Sequence, residues 1–140
     1  LLAELPDAPT VVVDPAPVDG AERLVRHPAV DVVRPNEHEY VALGAALDEF
    51  EGTIIQTRGP RDVLVENDET VTVSPPSVDV VDTTGAGDTF NGYLAAELAR
   101  GSSLRRAVEV ATVAASLSVE CSGAQSSIPT LEAVRASRSA

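Results

Sequence analysis

The chain has 140 residues, 44% of them apolar, and carries 22 Asp and Glu against ten Arg with no Lys, a formal net charge of −12. A surface of that sign argues against duplex DNA or an anionic membrane as partner, since both need a cationic face. No apolar run approaches the length of a membrane span, and the opening residues are not expected to act as a signal peptide. The length suits one domain with a substantial core. The single Cys121 can form no internal disulfide, which points to a reducing cytoplasm. The acidity leaves two readings open: an ordinary acidic domain, or a protein of a high-salt cytoplasm in which salt screens self-repulsion. There is no Met at all, so Leu1 is expected to lie inside a longer parent chain.

Along the chain, strand and helix signals alternate. Residues 10–14 (TVVVD) read as a buried strand stopped by the turn PAPVDG, 21–26 as a short helix, and 30–34 as a second strand. Pro35 and Asn36 lead into a helix over 37–47, with Asn36 as its N-cap. A third buried strand follows at 53–57. Residues 62–66 and 69–74 then form a hairpin across Asn67 and Asp68, although no Gly stands there. After Pro75 and Pro76, the apolar run 78–81 enters VVDTTGAGDTFNG, residues 80–92. Helices are expected over 86–100 and 104–119, separated by Gly101-Ser102-Ser103. Residues 121–129 (CSGAQSSIP) form a loop and 130–137 a terminal helix. Apolar strands alternating with helices imply an α/β fold whose parallel sheet is covered on both faces. No internal repeat or long linker divides it, so a single α/β unit is expected.

The segment 80–92 carries the chemistry. Glycines at 85 and 87 allow a tight turn and close approach of a ligand to the backbone. A helix starting there aims unpaired N–H groups and its dipole at the same point, which suits an anion. Asp88 has two explanations at this stage. It is a helix-capping carboxylate, worth about 1 kcal/mol, or a base that takes a proton from a hydroxyl while the amides hold a transferring phosphoryl group. Two other phosphate-binding patterns fail: a Walker loop needs a Lys, and the dinucleotide fingerprint needs Gly where Phe90 stands. Asn36 and Glu39 read by themselves as a capping Asn and a surface Glu. His27 and His38 have no ligand-spaced partners, and Arg105-Arg106 reads as a solvated face.

DTTGAGDTFNG closely resembles the C-terminal signature of the ribokinase-like (PfkB) carbohydrate kinases. The resemblance continues in order along nearly the whole chain. VVVDPAP, residues 11–17, looks like the family's strand and turn before the nucleotide site. RPNEHE, residues 34–39, matches its Pro-Asn-x-x-Glu motif. TRGPRDVLV, residues 57–65, resembles its Thr-x-Gly strand-turn-strand, and GAQSSIP, residues 123–129, is similar to a closing loop seen especially in ribokinases. Four such pieces in register are far more specific than any one. The resemblance implies a ribokinase-like three-layer sandwich, its largely parallel sheet bearing helices on both faces. Residues 1–140 would be the C-terminal, nucleotide-binding part of one kinase domain, without the N-terminal sugar-binding half and lid.

The resemblance also implies roles. Asp88 would be the catalytic base, and Gly85, Ala86 and Gly87 an anion hole for the transferred γ-phosphoryl. Asn36, Thr57, Gly59, Pro60, Gly87 and Thr112 would border the nucleotide, and Glu39 would serve Mg²⁺ through water, as suits this hydrated ion. Asp82, Thr84, Ser118, Cys121, Gly123 and Ser127 fall where ribokinases bind a monovalent cation, K⁺, several through backbone carbonyls. Ser118 and Cys121 read equally well as small residues packing at a helix end. Asp62 stands where the family usually has Gly, and Thr112 where it has Asn or His near the adenine.

The implied activity is ATP-dependent phosphorylation of a sugar hydroxyl, with D-ribose to ribose 5-phosphate in first place. Fructokinase, ketodeoxygluconate kinase and adenosine kinase activities are the alternatives within the family. The partners are ATP and a small sugar in the cytoplasm, with a homodimer formed by the full-length parent. Two other classes compete: an inactive nucleotide-binding remnant, and a dinucleotide-dependent enzyme that Phe90 disfavours. A parallel sheet cut partway leaves an unpaired edge and uncovered apolar surface. Expressed alone, the 140 residues are therefore expected to be poorly soluble or partly molten; a sharp cooperative melt at ordinary concentration would contradict this.

Overall fold

The structure, a computed structural model, describes residues 9–139. Eleven elements follow in the order β1 (Val12–Val13), α1 (Glu22–Val25), β2 (Val32–Val33), α2 (Glu37–Leu43), α3 (Ala45–Asp48), β3 (Thr53–Arg58), β4 (Arg61–Glu66), β5 (Thr70–Val73), α4 (Ala86–Ala99), α5 (Leu104–Ser118) and α6 (Leu131–Ser139). Contacts gather them into two compact units, Leu1–Thr72 and Val73–Ala140.

The first unit is built on a five-stranded sheet in sequence order, β1 to β5. Its first three strands are parallel: Val12 lies opposite Val32, and Val32 opposite Thr53. β4 returns antiparallel to β3, with Ile55 opposite Val65 and an irregularity between Gln56 and Arg58. The Val- and Ile-rich runs form strands because branched side chains pack well on a pleated surface covered by helices. Val33 and Ile54 join Val25, Leu43, Ala46 and Leu47 of the helices in one buried cluster.

Three local features depart from the sequence pattern. The first two strands are shorter than 10–14 and 30–34, although the pairing continues past their ends through the Arg34 N–H to the Val13 carbonyl, 2.8 Å. The helix expected over 37–47 breaks at Gly44, whose φ of 37° lies outside helical space; its N–H closes α2 on Tyr40 and its carbonyl accepts from Leu47 to start α3. The β4–β5 hairpin turns without Gly because Asn67 supplies the turn itself. Its Oδ1 accepts from the Glu69 N–H at 3.2 Å, and its own N–H donates to the Glu69 carbonyl at 3.2 Å.

In the second unit, α4 and α5 form an antiparallel hairpin. Phe90, Leu94 and Glu97 make the buried stripe of α4, and Ala107, Ala111 and Ala114 on α5 are small enough for close approach. The buried Glu97 carboxylate is satisfied at the helix end by the Ser102 hydroxyl at 2.8 Å and by Arg100. Ser103 then caps α5 by accepting from the Arg106 N–H. Val134 of α6 is buried against Val110 and Ala114, and Glu109 ties Arg138 of α6 at 2.8 Å while also pairing with Arg105.

The run 78–81 is not a strand in this unit. The Val81 and Asp82 N–H groups converge on the Val119 carbonyl, at 2.7 and 3.1 Å, a pattern no ladder makes, and Val80 and Val81 are exposed. Asp82 then joins two loops. Its carboxylate accepts from the Thr84 N–H and, 41 residues away, from the Gly123 N–H, both at 3.0 Å. The Gly123 amide foremost, then Thr84, hold its pKa down at about 2. Because the folded value is depressed, this stabilisation is fully present above the ordinary carboxylate pKa and is lost as pH falls from about 4 through 2. Asp82→Asn in the complete gene product is therefore expected to melt at a lower temperature than the parent at pH 7. The gap should close as the pH drops below 4; a gap that stays constant would show that the charge is not what matters.

Candidate active site

The turn into α4 demands glycine at 85 for two reasons. Its φ of 79° is left-handed, and a Cβ there would stand 3.1 Å from both the Cα and the carbonyl oxygen of Ala124. The loop 121–129 thus lies directly against the start of the helix. Ala86 donates to the Thr83 carbonyl at 3.2 Å, and Thr89 closes the first turn on Gly85 at 2.9 Å. This leaves the N–H groups of Gly85 and Gly87 as the donors of the expected anion hole that have no partner among the described residues. Asp88 sits in the first turn without capping it, since the N-cap position carries no side-chain bond. Its carboxylate is exposed and meets no hydrogen-bond or ion-pair partner among the described residues. A helix start with free amides and a free acid can hold an anion and accept a proton beside it.

The six residues expected around the cation all lie in the second unit, but only some are linked directly. Asp82, Thr84 and Gly123 are directly linked. The buried Ser118 hydroxyl donates to the Ala115 carbonyl of its own helix at 2.8 Å, and the buried Ser127 hydroxyl to that of Ala124 at 3.5 Å; their oxygens keep lone pairs. Cys121 is exposed and free. Gly123 has a φ of 97°. Asp82 is the one acid among the six, and its carboxylate already accepts the Thr84 and Gly123 N–H groups. Thr112 lies inside α5 at 3% exposure, and its hydroxyl and that of the equally buried Thr89 find no partner among the described residues.

Asn36, Glu39, Thr57, Gly59 and Pro60 belong to the first unit. Asn36 caps α2 with a complete capping box: its Oδ1 accepts from the Glu39 N–H at 3.0 Å, and the Glu39 carboxylate takes back the Asn36 N–H at 2.7 Å and its Nδ2 at 2.8 Å. Glu39 is not the surface residue its sequence position suggested, being 8% exposed. Both its oxygens already accept one bond, so it fits an outer role towards Mg²⁺, through water, better than direct ligation. Thr57 lies next to Asn36 through an isolated parallel bridge, its N–H bonded to the Pro35 carbonyl at 3.0 Å. Gly59, at φ 59°, and Pro60 form the exposed turn between β3 and β4. Asp62 is accommodated within β4, where its carbonyl accepts from Arg58 Nε at 2.7 Å.

Sequence reasoning missed a partly buried ion pair at Thr57, made by the buried Arg34 and the half-buried Asp14. Arg34 pairs with Asp14 and donates through Nη1 to Thr57 Oγ1 at 3.2 Å, joining the ends of β1, β2 and β3. A signal did exist: VVVD and VVR place opposite charges at the ends of successive apolar strands. Tyr93 was missed too. Its hydroxyl donates to the Pro129 carbonyl at 2.7 Å, and nothing in the residues around it marks that partner.

Comparison with known proteins agrees with this architecture. The ribokinase of Lactococcus lactis is 38% identical over 133 residues, 90% of this chain and 44% of that protein. The crystal structure of ribokinase from Thermotoga maritima superposes with a TM-score of 0.86 at 33% identity, over 99% of this chain and 51% of that one. The Arabidopsis thaliana ribokinase complexed with ribose and ATP gives a TM-score of 0.79 at 26% identity, over 91% and 46%. The chain thus spans about half the length of the relatives it matches, and has the ribokinase-like α/β fold. The sequence pattern of the pfkB family carbohydrate kinases matches residues 3–131, and the chain belongs to that family.

Proposed function

We propose that the complete protein transfers the γ-phosphoryl group of ATP to a sugar hydroxyl, D-ribose to ribose 5-phosphate being the leading reaction. Residues 1–140 would supply the C-terminal part of its single kinase domain, acting in the cytoplasm and, in the complete protein, as a homodimer. Membership of the pfkB family and the likeness to ribokinases, one of them solved with ribose and ATP, support the reaction class. The observation that carries the assignment of roles is the unpaired, exposed carboxylate of Asp88 in the first turn of a helix that starts on left-handed Gly85.

In this reading Asp88 accepts the proton of the primary hydroxyl as its oxygen attacks the γ-phosphorus in line, and ADP leaves. The Gly85 and Gly87 N–H groups, with Ala86 between them, face the charge on the transferring group, where fixed dipoles stabilise a transition state without reorganisation. Asn36, Thr57, Gly59, Pro60 and Thr112 would border the nucleotide. Mg²⁺, when bound, neutralises phosphate charge, and Glu39 would reach it through water. K⁺ would be held by Asp82, Thr84, Ser118, Cys121, Gly123 and Ser127, and would supply fixed positive charge.

Two measurements on the complete gene product test this. Asp88→Asn is expected to lower the rate of ADP release with ribose by roughly 10²- to 10⁴-fold, and an undiminished rate would refute the base assignment. Replacing Na⁺ by K⁺ at constant ionic strength is expected to raise kcat; equal rates in the two salts would count against a selective cation site.

A further inference from the structure

The loop 121–129 is pinned to the helix start at three points. Near its beginning, the Gly123 N–H is held by the Asp82 carboxylate at 3.0 Å. In its middle, Ala124 lies so close to Gly85 that a Cβ there would come within 3.1 Å of its backbone. At its end, the Tyr93 hydroxyl donates to the Pro129 carbonyl at 2.7 Å. Tyr93 lies on α4, five residues beyond Asp88. Its ring packs against the cluster of Val110, Ala114 and Val134, so α5 and α6 fix the direction in which the hydroxyl points. Burial raises the phenol's pKa above its ordinary value, so the group remains a donor throughout the neutral range.

We propose that Tyr93 is a positioning residue: by holding the Pro129 carbonyl, its hydroxyl seats the 121–129 loop against the glycine turn that begins α4. The first two contacts fix where the loop starts and how near it comes; its far half is otherwise held by bonds within the loop, Ser127 Oγ to the Ala124 carbonyl and the Ile128 N–H to the Gln125 carbonyl, and by the chain entering α6. Without the third, the loop can hinge about Gly123, whose φ of 97° no ordinary residue shares. Ala124 then no longer bears steadily on Gly85. The catalytic consequence rests on the phosphoryl-transfer reading: amides that stabilise charge only in the transition state lose rate, not substrate binding, when they are displaced.

Tyr93→Phe removes the hydroxyl and keeps the ring. In the complete gene product, hydrogen exchange over 121–129 is expected to quicken about fivefold, the factor corresponding to one ordinary net hydrogen bond, with exchange in α5 unchanged. kcat with ribose should fall about fivefold while KM for ATP stays within about twofold, both scaled to that same bond. Unchanged exchange in the loop would overturn the tether. So would faster exchange in α5 as well, since the ring's packing rather than its hydroxyl would then be responsible. A loosened loop with unaltered kcat would overturn the positioning role. If the parent enzyme phosphorylates no sugar at all, the phosphoryl-transfer reading fails instead, and the exchange measurement still decides whether the tether exists.

Discussion

A single left-handed residue governs the candidate site. For an L-residue with a Cβ, φ of 79° costs roughly 1–2 kcal/mol, and at Gly85 the Ala124 backbone would crowd that Cβ at 3.1 Å. Only glycine lets the chain swing from the Asp82 loop into α4 while another loop lies against the turn. That turn sets the direction of the helix axis, the open N–H groups at its start, and the position of Asp88 on its first turn. The Asp82 carboxylate serves the same arrangement from the other side, by joining the segment before the turn to the loop that covers it.

The first unit solves a parallel problem with charge. The ends of parallel strands are where a doubly covered sheet must stop burying Val and Ile and present polar groups. Here the transition is made by Asp14, Arg34 and Thr57, one at the end of each of the three parallel strands. Such a partly buried pair adds little net stability over a packed apolar substitute. It therefore specifies the relative placement of the three strand ends more than it strengthens them. Asn36 begins α2 immediately afterwards, and the capping box with Glu39 fixes the helix at the same edge.

The features legible in the sequence were those that depend on near neighbours. Asn36 caps because the residues it bonds are three positions away, and α4 and α5 begin and end within a residue or so of the expectation because Gly101 to Ser103 and Glu97 settle that hairpin locally. Gly44 was obscure because it falls inside an unbroken helical spacing of apolar residues, and only its φ shows the break. Glu39 looked exposed because periodicity reports the face of a helix, not a bond back to its cap. The run 78–81 looked sheet-like from its valines, yet it ends with the Val81 and Asp82 N–H groups both on the Val119 carbonyl. Asp82 to Gly123 and Tyr93 to Pro129 span 41 and 36 residues, and no local pattern encodes such contacts.

The charge balance also bears on how a phosphate could be held. A chain with net charge −12 and no Lys must bind a polyanion against its own field. Six of its ten arginines, Arg26, Arg34, Arg61, Arg100, Arg105 and Arg138, are paired with carboxylates of the same chain. Recognition by a cluster of basic side chains is thus poorly suited to this surface. Main-chain N–H groups at a helix start are better suited, because they present partial positive charge of fixed direction at short range, where repulsion from distant carboxylates is screened. On the proposed reading, the scarcity of cationic side chains and the two glycines of GAGD belong to one solution: binding strength is placed in backbone geometry, and the one side chain projecting beside it is an acid left free to take a proton.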